Sequence, residues 1–182
     1  MNDLEQIRIH GRGGQGVVTA AELIAIAAFY DGLEAQAFPN FGVERTGAPI
    51  QAYARISKKK ITTREHIYEP TVLVIQDSSL LDSGNILAGI NDKTKIVINA
   101  KENRWEELKN KKNLYFSPAT EIALEIIGKN IVNTVILGAF AKHTKLVSLE
   151  SLKKAIEIKF KDKGDKIIEK NIKAVEKAFS NK

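Results

Sequence analysis

The stretch IRIHGRGGQGVVTAAELIAIAA, residues 7–28, constrains the fold of this chain more than any other. An Ile-rich strand runs into a turn with four glycines in six residues, and the turn runs into an apolar helix. Such a junction leaves bare backbone N–H groups at a helix N-terminus, where the helix dipole favours an anion. Gly11, Gly13 and Gly16 also fit G-x-G-x-x-G, so dinucleotide binding is the first reading to test.

A dinucleotide site needs more than glycines. An acid near the end of the second strand, roughly 20 residues after the loop, binds the ribose hydroxyls. The second strand here is residues 34–38, closed by Pro39. Glu34 opens it, and neither an acid nor an arginine stands at its far end. The connection to the third strand, residues 50–56, is too short for a crossover helix, which predicts antiparallel neighbours. That departs from the βαβαβ half a dinucleotide needs, and leaves a stand-alone Rossmann-like dinucleotide-binding protein as the alternative reading. Glycines at such a junction can also serve tight packing alone. Gln15 points beyond packing, because its amide can bond a ligand or a facing subunit. Arg12 adds a positive charge there, open to a phosphate, a carboxylate or a partner salt bridge.

Further along, TVLVIQ at 71–76 and KIVIN at 95–99 are continuous apolar runs of the central parallel type, with a shorter one at 114–116. Ser117-Pro118 predicts a helix start, with Ser as N-cap and Pro at the first helical position, running to Ile127 and closed by Gly128. Asn133 is read as the cap of a further apolar helix. Two amphipathic helices end the chain, the last with Ile168, Ile172, Val175 and Phe179 at helical spacing. The expected fold is α/β: a three-layer α/β/α arrangement with a mixed, mainly parallel sheet and a helical C-terminus. A length of 182 residues predicts one domain over 1–182, with a helical extension from about 148.

Composition limits the chemistry. The chain has no cysteine, which excludes disulfides, cysteine nucleophiles and iron–sulfur ligation by this chain, and fits a reducing, cytoplasmic setting. The first residues carry Asp3 and Glu5 and do not read as a signal peptide, and no apolar run reaches a membrane span. The net charge is +6, and residues 148–182 hold ten lysines against six acids. Those lysines alternate with acids and an apolar stripe, as on a solvated helix face. No interleaved aromatics mark a nucleic-acid platform, and neither nucleic acid nor membrane is expected as a partner. None of His10, His66 and His143 has a sequence partner that points to catalysis, so no catalytic and no metal-binding residue is assigned.

The second unusual segment is Phe41-Gly42-Val43-Glu44-Arg45-Thr46-Gly47-Ala48-Pro49. An acid and a base stand side by side among glycines and apolar residues, a composition suited to burial against another surface. GRGGQGVVTAAELIA, QAFPNFGVERTGAPIQAYARI and YEPTVLVIQDSSLL together resemble the gamma subunits of the 2-oxoacid:ferredoxin oxidoreductases, most closely the pyruvate type. The likeness runs from about residue 7 to 152 and includes NTVILGAFAK and LVSLESLKKAI. Many relatives read E-R-R-G-A-P; Thr46 here removes the second arginine of a two-arginine anion site.

The resemblance implies a subunit of a thiamine-diphosphate enzyme that interconverts a 2-oxoacid plus coenzyme A with an acyl-CoA plus CO2, passing electrons to ferredoxin. It implies alpha, beta and delta partner subunits, which hold the thiamine diphosphate, Mg²⁺ and iron–sulfur clusters. The gamma chain is then a scaffold and coenzyme-A-access subunit, inactive alone and binding no cofactor by itself. Its expected interface or cofactor-facing residues are Gly11, Arg12, Gly13, Gly14, Gln15, Gly16, Glu44, Arg45, Thr46 and Gly47. Asp77 and Asn99 join them from the ends of two central strands, where open α/β sheets place ligands. A loop hydrogen bond or a helix cap is the competing role for those two.

Overall fold

A computed structural model describes residues 3–40, 46–82 and 85–181. Six strands form one sheet: β1 (Leu4–Arg12), β2 (Glu34–Pro39), β3 (Pro49–Ser57), β4 (Val72–Ile75), β5 (Lys95–Asn99) and β6 (Leu114–Ser117). Their order is β2-β3-β1-β4-β5-β6. β1, β4, β5 and β6 run parallel, while β3 lies antiparallel to both β1 and β2. The sheet is mixed and mainly parallel, and the antiparallel pairing of β2 with β3 is as the short connection predicts.

The helices are α1 (Val17–Tyr30), a short α2 (Ala119–Ile122), α3 (Val132–Thr144), α4 (Leu149–Lys159) and α5 (Asp165–Ser180). One face of the sheet carries α1 on β2 and β3 and α3 on β5 and β6; α4 packs on α1, and α5 on α3. The alternation of the strands explains this. Ile7, Ile9, Ala52, Ala54, Ile56, Val72, Val74 and Val97 enter the main core beneath the helices. Leu73, Ile75, Ile96 and Ile98 point the other way, under a layer of short 3-10 turns and irregular chain holding Leu80, Leu81, Trp105 and Leu108.

Local chemistry shifts several expected boundaries. Helix α1 starts at Val17, because Gly16 is its N-cap in the left-handed region at φ 69°. Ser117 does not cap α2: it ends β6 with its side chain buried, and Pro118 holds the N-cap position without a side-chain bond. The cap comes from Asn99 on the neighbouring strand, whose Oδ1 accepts from the Thr120 N–H at 3.1 Å. After one α-turn the helix widens into a π-turn, Ala123–Ile127, and Gly128 closes it in the left-handed region at φ 83°. Asn133 lies inside α3, whose N-cap is Ile131, and packs over the glycine turn. The stripe of α5 is centred on Asn171, Ala174, Val175 and Ala178. Small residues are needed there because a Cβ on Gly138 of α3 would sit 2.3 Å from the Val175 carbonyl.

Candidate functional site

Chain leaving β1 turns toward β2 and β3, whereas chain leaving β4 proceeds to β5 and β6. The carboxyl ends of β1 and β4 therefore flank the point where strand order reverses, the crevice in which open α/β sheets hold ligands. Here the two loops that border the crevice are tied to each other. Arg12 donates from Nε to Asp77 Oδ2 at 3.0 Å, from Nη2 to Ser79 Oγ at 2.9 Å and from Nη1 to the Gly47 carbonyl at 3.1 Å. Gln15 accepts the Arg12 N–H at 2.8 Å and donates to Asp77 Oδ2 at 3.1 Å. Ser79 donates from N and Oγ to Asp77 Oδ1, at 3.1 and 2.6 Å.

Asp77 is thus the hub of the crevice. Burial opposes its ionisation, yet the hydrogen bonds from Ser79 and Gln15 and the Arg12 charge outweigh burial and hold its carboxyl below the ordinary range. Arg12 has its carboxylate within the chain. The Gln15 amide, whose purpose was open from sequence, bonds one loop to the other.

The two glycine-rich segments meet directly. Gly13 donates its N–H to the Ala48 carbonyl at 2.8 Å, and Gly47 donates to the Gly13 carbonyl at 3.1 Å, so Thr46 bridges to Gly13 as in a parallel ladder. The structure therefore unites Gly11, Arg12, Gly13, Gly14, Gln15, Gly16, Thr46, Gly47 and Asp77. Glu44 and Arg45 lie outside the described residues. Asn99 stands one strand away and faces inward, donating to the Gln76 carbonyl and to Thr120 Oγ1, both at 2.9 Å.

Two of the glycines answer to packing. A Cβ on Gly11 would lie 2.6 Å from Val17 Cγ2, and one on Gly16 would lie 2.4 Å from Asn133 Nδ2. Gly14 differs: its φ is +90°, and nothing stands within 4 Å of its Cβ position, so this corner of the turn is open. Sequence reasoning missed Ser79, Gln76 and Asn133. Gln76 was signalled by the polar residue that ends the TVLVI run; its side-chain amide is buried without a partner among the described residues. With the crevice filled by the chain's own side chains and β3 antiparallel, the geometry does not favour a dinucleotide.

Among the described residues, no group of three His, Cys, Asp or Glu side chains could hold a metal ion, and no helix is long and apolar enough to cross a membrane. Residues 6–181 match the family model described as pyruvate ferredoxin/flavodoxin oxidoreductase. The chain is 51% identical over 175 residues to the pyruvate synthase subunit PorC of Methanocaldococcus jannaschii, covering 96% of this chain and 95% of that one. It is also 51% identical over 179 residues to the pyruvate/ketoisovalerate oxidoreductases common subunit gamma of Thermococcus kodakarensis, with the same coverages. The crystal structure of pyruvate oxidoreductase subunit PORC from Thermotoga maritima superposes with a TM-score of 0.82 at 34% identity, covering 98% of this chain and 96% of that chain. The fold also recurs in a 2-oxoglutarate:ferredoxin oxidoreductase from Magnetococcus marinus, with a TM-score of 0.77 at 23% identity, covering 98% of this chain but 31% of that one. This chain belongs to the pyruvate ferredoxin/flavodoxin oxidoreductase family, as the gamma subunit of a pyruvate or 2-oxoacid ferredoxin oxidoreductase.

Proposed function

We propose that this chain is the non-catalytic gamma subunit of a pyruvate:ferredoxin oxidoreductase, and that its switch-point edge shapes the path by which coenzyme A reaches the reaction centre. The observation that carries the reading is the paired edge Gly13–Thr46. Two glycine-rich segments are joined backbone to backbone, and Arg12 of the first is paired with Asp77. Among the described residues such an edge offers shape and peptide groups rather than reactive side chains. It suits a surface that docks against a subunit or passes a ligand.

The reaction centre belongs to other subunits. A chain without cysteine supplies no thiolate to an iron–sulfur cluster; the family resemblance implies that alpha, beta and delta partners hold those clusters, the thiamine diphosphate and its Mg²⁺, and that ferredoxin takes the electrons. The Magnetococcus structure has coenzyme A and succinyl-CoA bound, which fits a coenzyme A path in the wider fold group. The setting proposed is cytoplasmic.

The test is reconstitution. The purified chain alone should show neither oxidoreductase turnover nor tight NAD binding. Complexes assembled with Gly14→Ala or Arg45→Ala should show a raised KM for coenzyme A or weakened assembly. Turnover by the lone chain would remove the non-catalytic reading. Unchanged KM and assembly in both variants would remove the access role.

A further inference from the structure

β2 is the outermost strand on its side of the sheet, and among the described residues no strand pairs with its outer edge, which has a defined pattern. The Asn40 N–H bonds to the Gln51 carbonyl, and these two residues continue the β2–β3 register, in which Pro39 faces Ala52. Even-numbered residues of β2 therefore bond to β3, and the peptide groups of Ala35 and Ala37 point outward. Pro39 belongs to the outward set, the position at which a missing N–H breaks no bond to β3. The side chains of Ala35 and Ala37 pack toward the helices. By alternation, those of Glu34, Gln36 and Phe38 lie on the opposite face.

That opposite face carries charges of both signs, Arg55 and Arg64 beside Glu34 and Glu65. Phe38, Gln36, Arg64 and His66 line a cavity of about 380 Å³ beside β2. The Arg55 guanidinium lies 4.9 Å above the Phe38 ring. Arg55 is 1% exposed, and its Nη2 donates to the Glu65 carbonyl. Its Nε and Nη1 have no partner among the described residues. A guanidinium stays charged when buried; Glu65 of the same chain acts on Arg55, and the exposed Arg64 is the cation at this corner that an outside anionic group can reach.

We propose that β2 pairs antiparallel with β2 of a second copy of this chain about a two-fold axis through Gln36, bringing Glu34 of each copy against the exposed Arg64 of the other. The register follows from the edge. Pairing Ala35 with Ala37 of the other copy, and Ala37 with Ala35, lets each pair exchange both N–H···O bonds without calling on Pro39 for a donor. The same register sets Gln36 opposite Gln36 and Glu34 opposite Phe38, in the closer, non-hydrogen-bonded type of pair. Glu34 is exposed, and it is the acidic side chain that β2 carries. Edge and charge are thus self-complementary, as an isologous interface requires. This pairing goes beyond the proposed function and does not depend on it.

The absence of cysteine makes the test direct. In a non-hydrogen-bonded antiparallel pair the Cα atoms are about 4.5 Å apart, inside the disulfide range of about 4.4–6.8 Å. Gln36→Cys, oxidised with diamide as the lone chain and in the assembled enzyme, should give a disulfide-linked dimer of this chain; the exposed control Lys163→Cys should not. By sedimentation, Glu34→Lys or Arg64→Glu should weaken dimerisation about tenfold, and the double variant should recover most of that loss, as expected for a charge pair. A monomer at every concentration, with no disulfide-linked dimer of the Gln36→Cys chain in either preparation, overturns the proposal. So does cross-linking of the Gln36→Cys chain to a different polypeptide, or additive losses in the double charge variant.

Discussion

Asp77→Ala should unfasten the crevice. The carboxylate accepts four hydrogen bonds, from Arg12 Nε, Gln15 Nε2, Ser79 N and Ser79 Oγ. In a dry interior each charge-assisted bond contributes about 1.5–3 kcal/mol. The Asp77 side chain is 21% exposed and that of Arg12 32%, so water screens the ion pair. Exposed pairs contribute about 0.2–1 kcal/mol. Weighing two local Ser79 bonds and two partly screened cross-loop bonds gives about 2–3 kcal/mol in all. For a chain of this size that lowers Tm by about 5–10 °C. Calorimetry gives the Tm, and amide exchange at Gly13 and Gly47, whose N–H groups bond across the two loops, reports the local opening. Asp77→Asn should fall between parent and Ala, because it keeps the shape but loses the charge. The sign with pH follows from the lowered pKa of Asp77. Its contribution is fully present above the ordinary aspartate value of about 3.9 and is lost as pH falls through the lower folded value. The gap between parent and Asn should therefore close in acid. A Tm for Asp77→Ala within a degree or two of the parent, with unchanged exchange at Gly13 and Gly47, would refute the reasoning.

Other consequences are equally measurable. Burial, aided by the Arg8 charge, lowers His10 to about 3, so the imidazole stays neutral in the fold while the unfolded chain protonates near 6.5. From this group, stability should drop by about 1.4 kcal/mol for each unit that pH falls between those values, and His10→Gln should remove about one proton from the slope of stability against pH. Gly138→Ala forces a Cβ toward the Val175 carbonyl and should separate α3 from α5, costing about 1–3 kcal/mol by thermal melting. Gly16→Ala meets both a left-handed φ and the Asn133 amide, and should destabilise by about 1–3 kcal/mol, with slower assembly of α1 onto the sheet read by stopped-flow folding. Arg8→Ala strands four carbonyl acceptors, those of Ile67, Tyr68, Ile86 and Ala88, and should cost about 3–5 kcal/mol in denaturant melts.

What was legible in sequence was local or periodic. The strand-turn-helix junction at 7–28 and the apolar run of a central strand at 71–76 were both readable from the residues. The connection after Phe38 was short enough to settle the direction of β3. What stayed hidden depends on residues far apart in the chain. Ser117-Pro118 is a sound local helix start, but Asn99, 21 residues before Thr120, reaches the Thr120 N–H first. Asn133 looks like a cap by type, yet its amide packs against Gly16, in a turn more than a hundred residues away. The candidate crevice was half visible. Glycines and a strand-end acid can be read singly, but that Arg12 and Gln15 converge on Asp77 follows only from β1 and β4 being neighbours. The lysine-rich tail read as a solvated helix face; in the structure Lys153, Lys159 and Lys177 pair with acids on other elements, Glu176, Glu22 and Glu125.

The position of Arg8 also bears on the order of events during folding. Its guanidinium holds the segment around 67–68 and the segment around 86–88 at once, from the centre of a strand already paired on both sides. Neither segment carries a helix or strand that forms by itself, so both wait for β1 to join β3 and β4. They then dock together on one cation. The covering layer should therefore act as a single late foldon, closing after the sheet has formed and opening before global unfolding, which native-state amide exchange checks. Changes at Arg8 should therefore speed unfolding while leaving the folding rate nearly untouched.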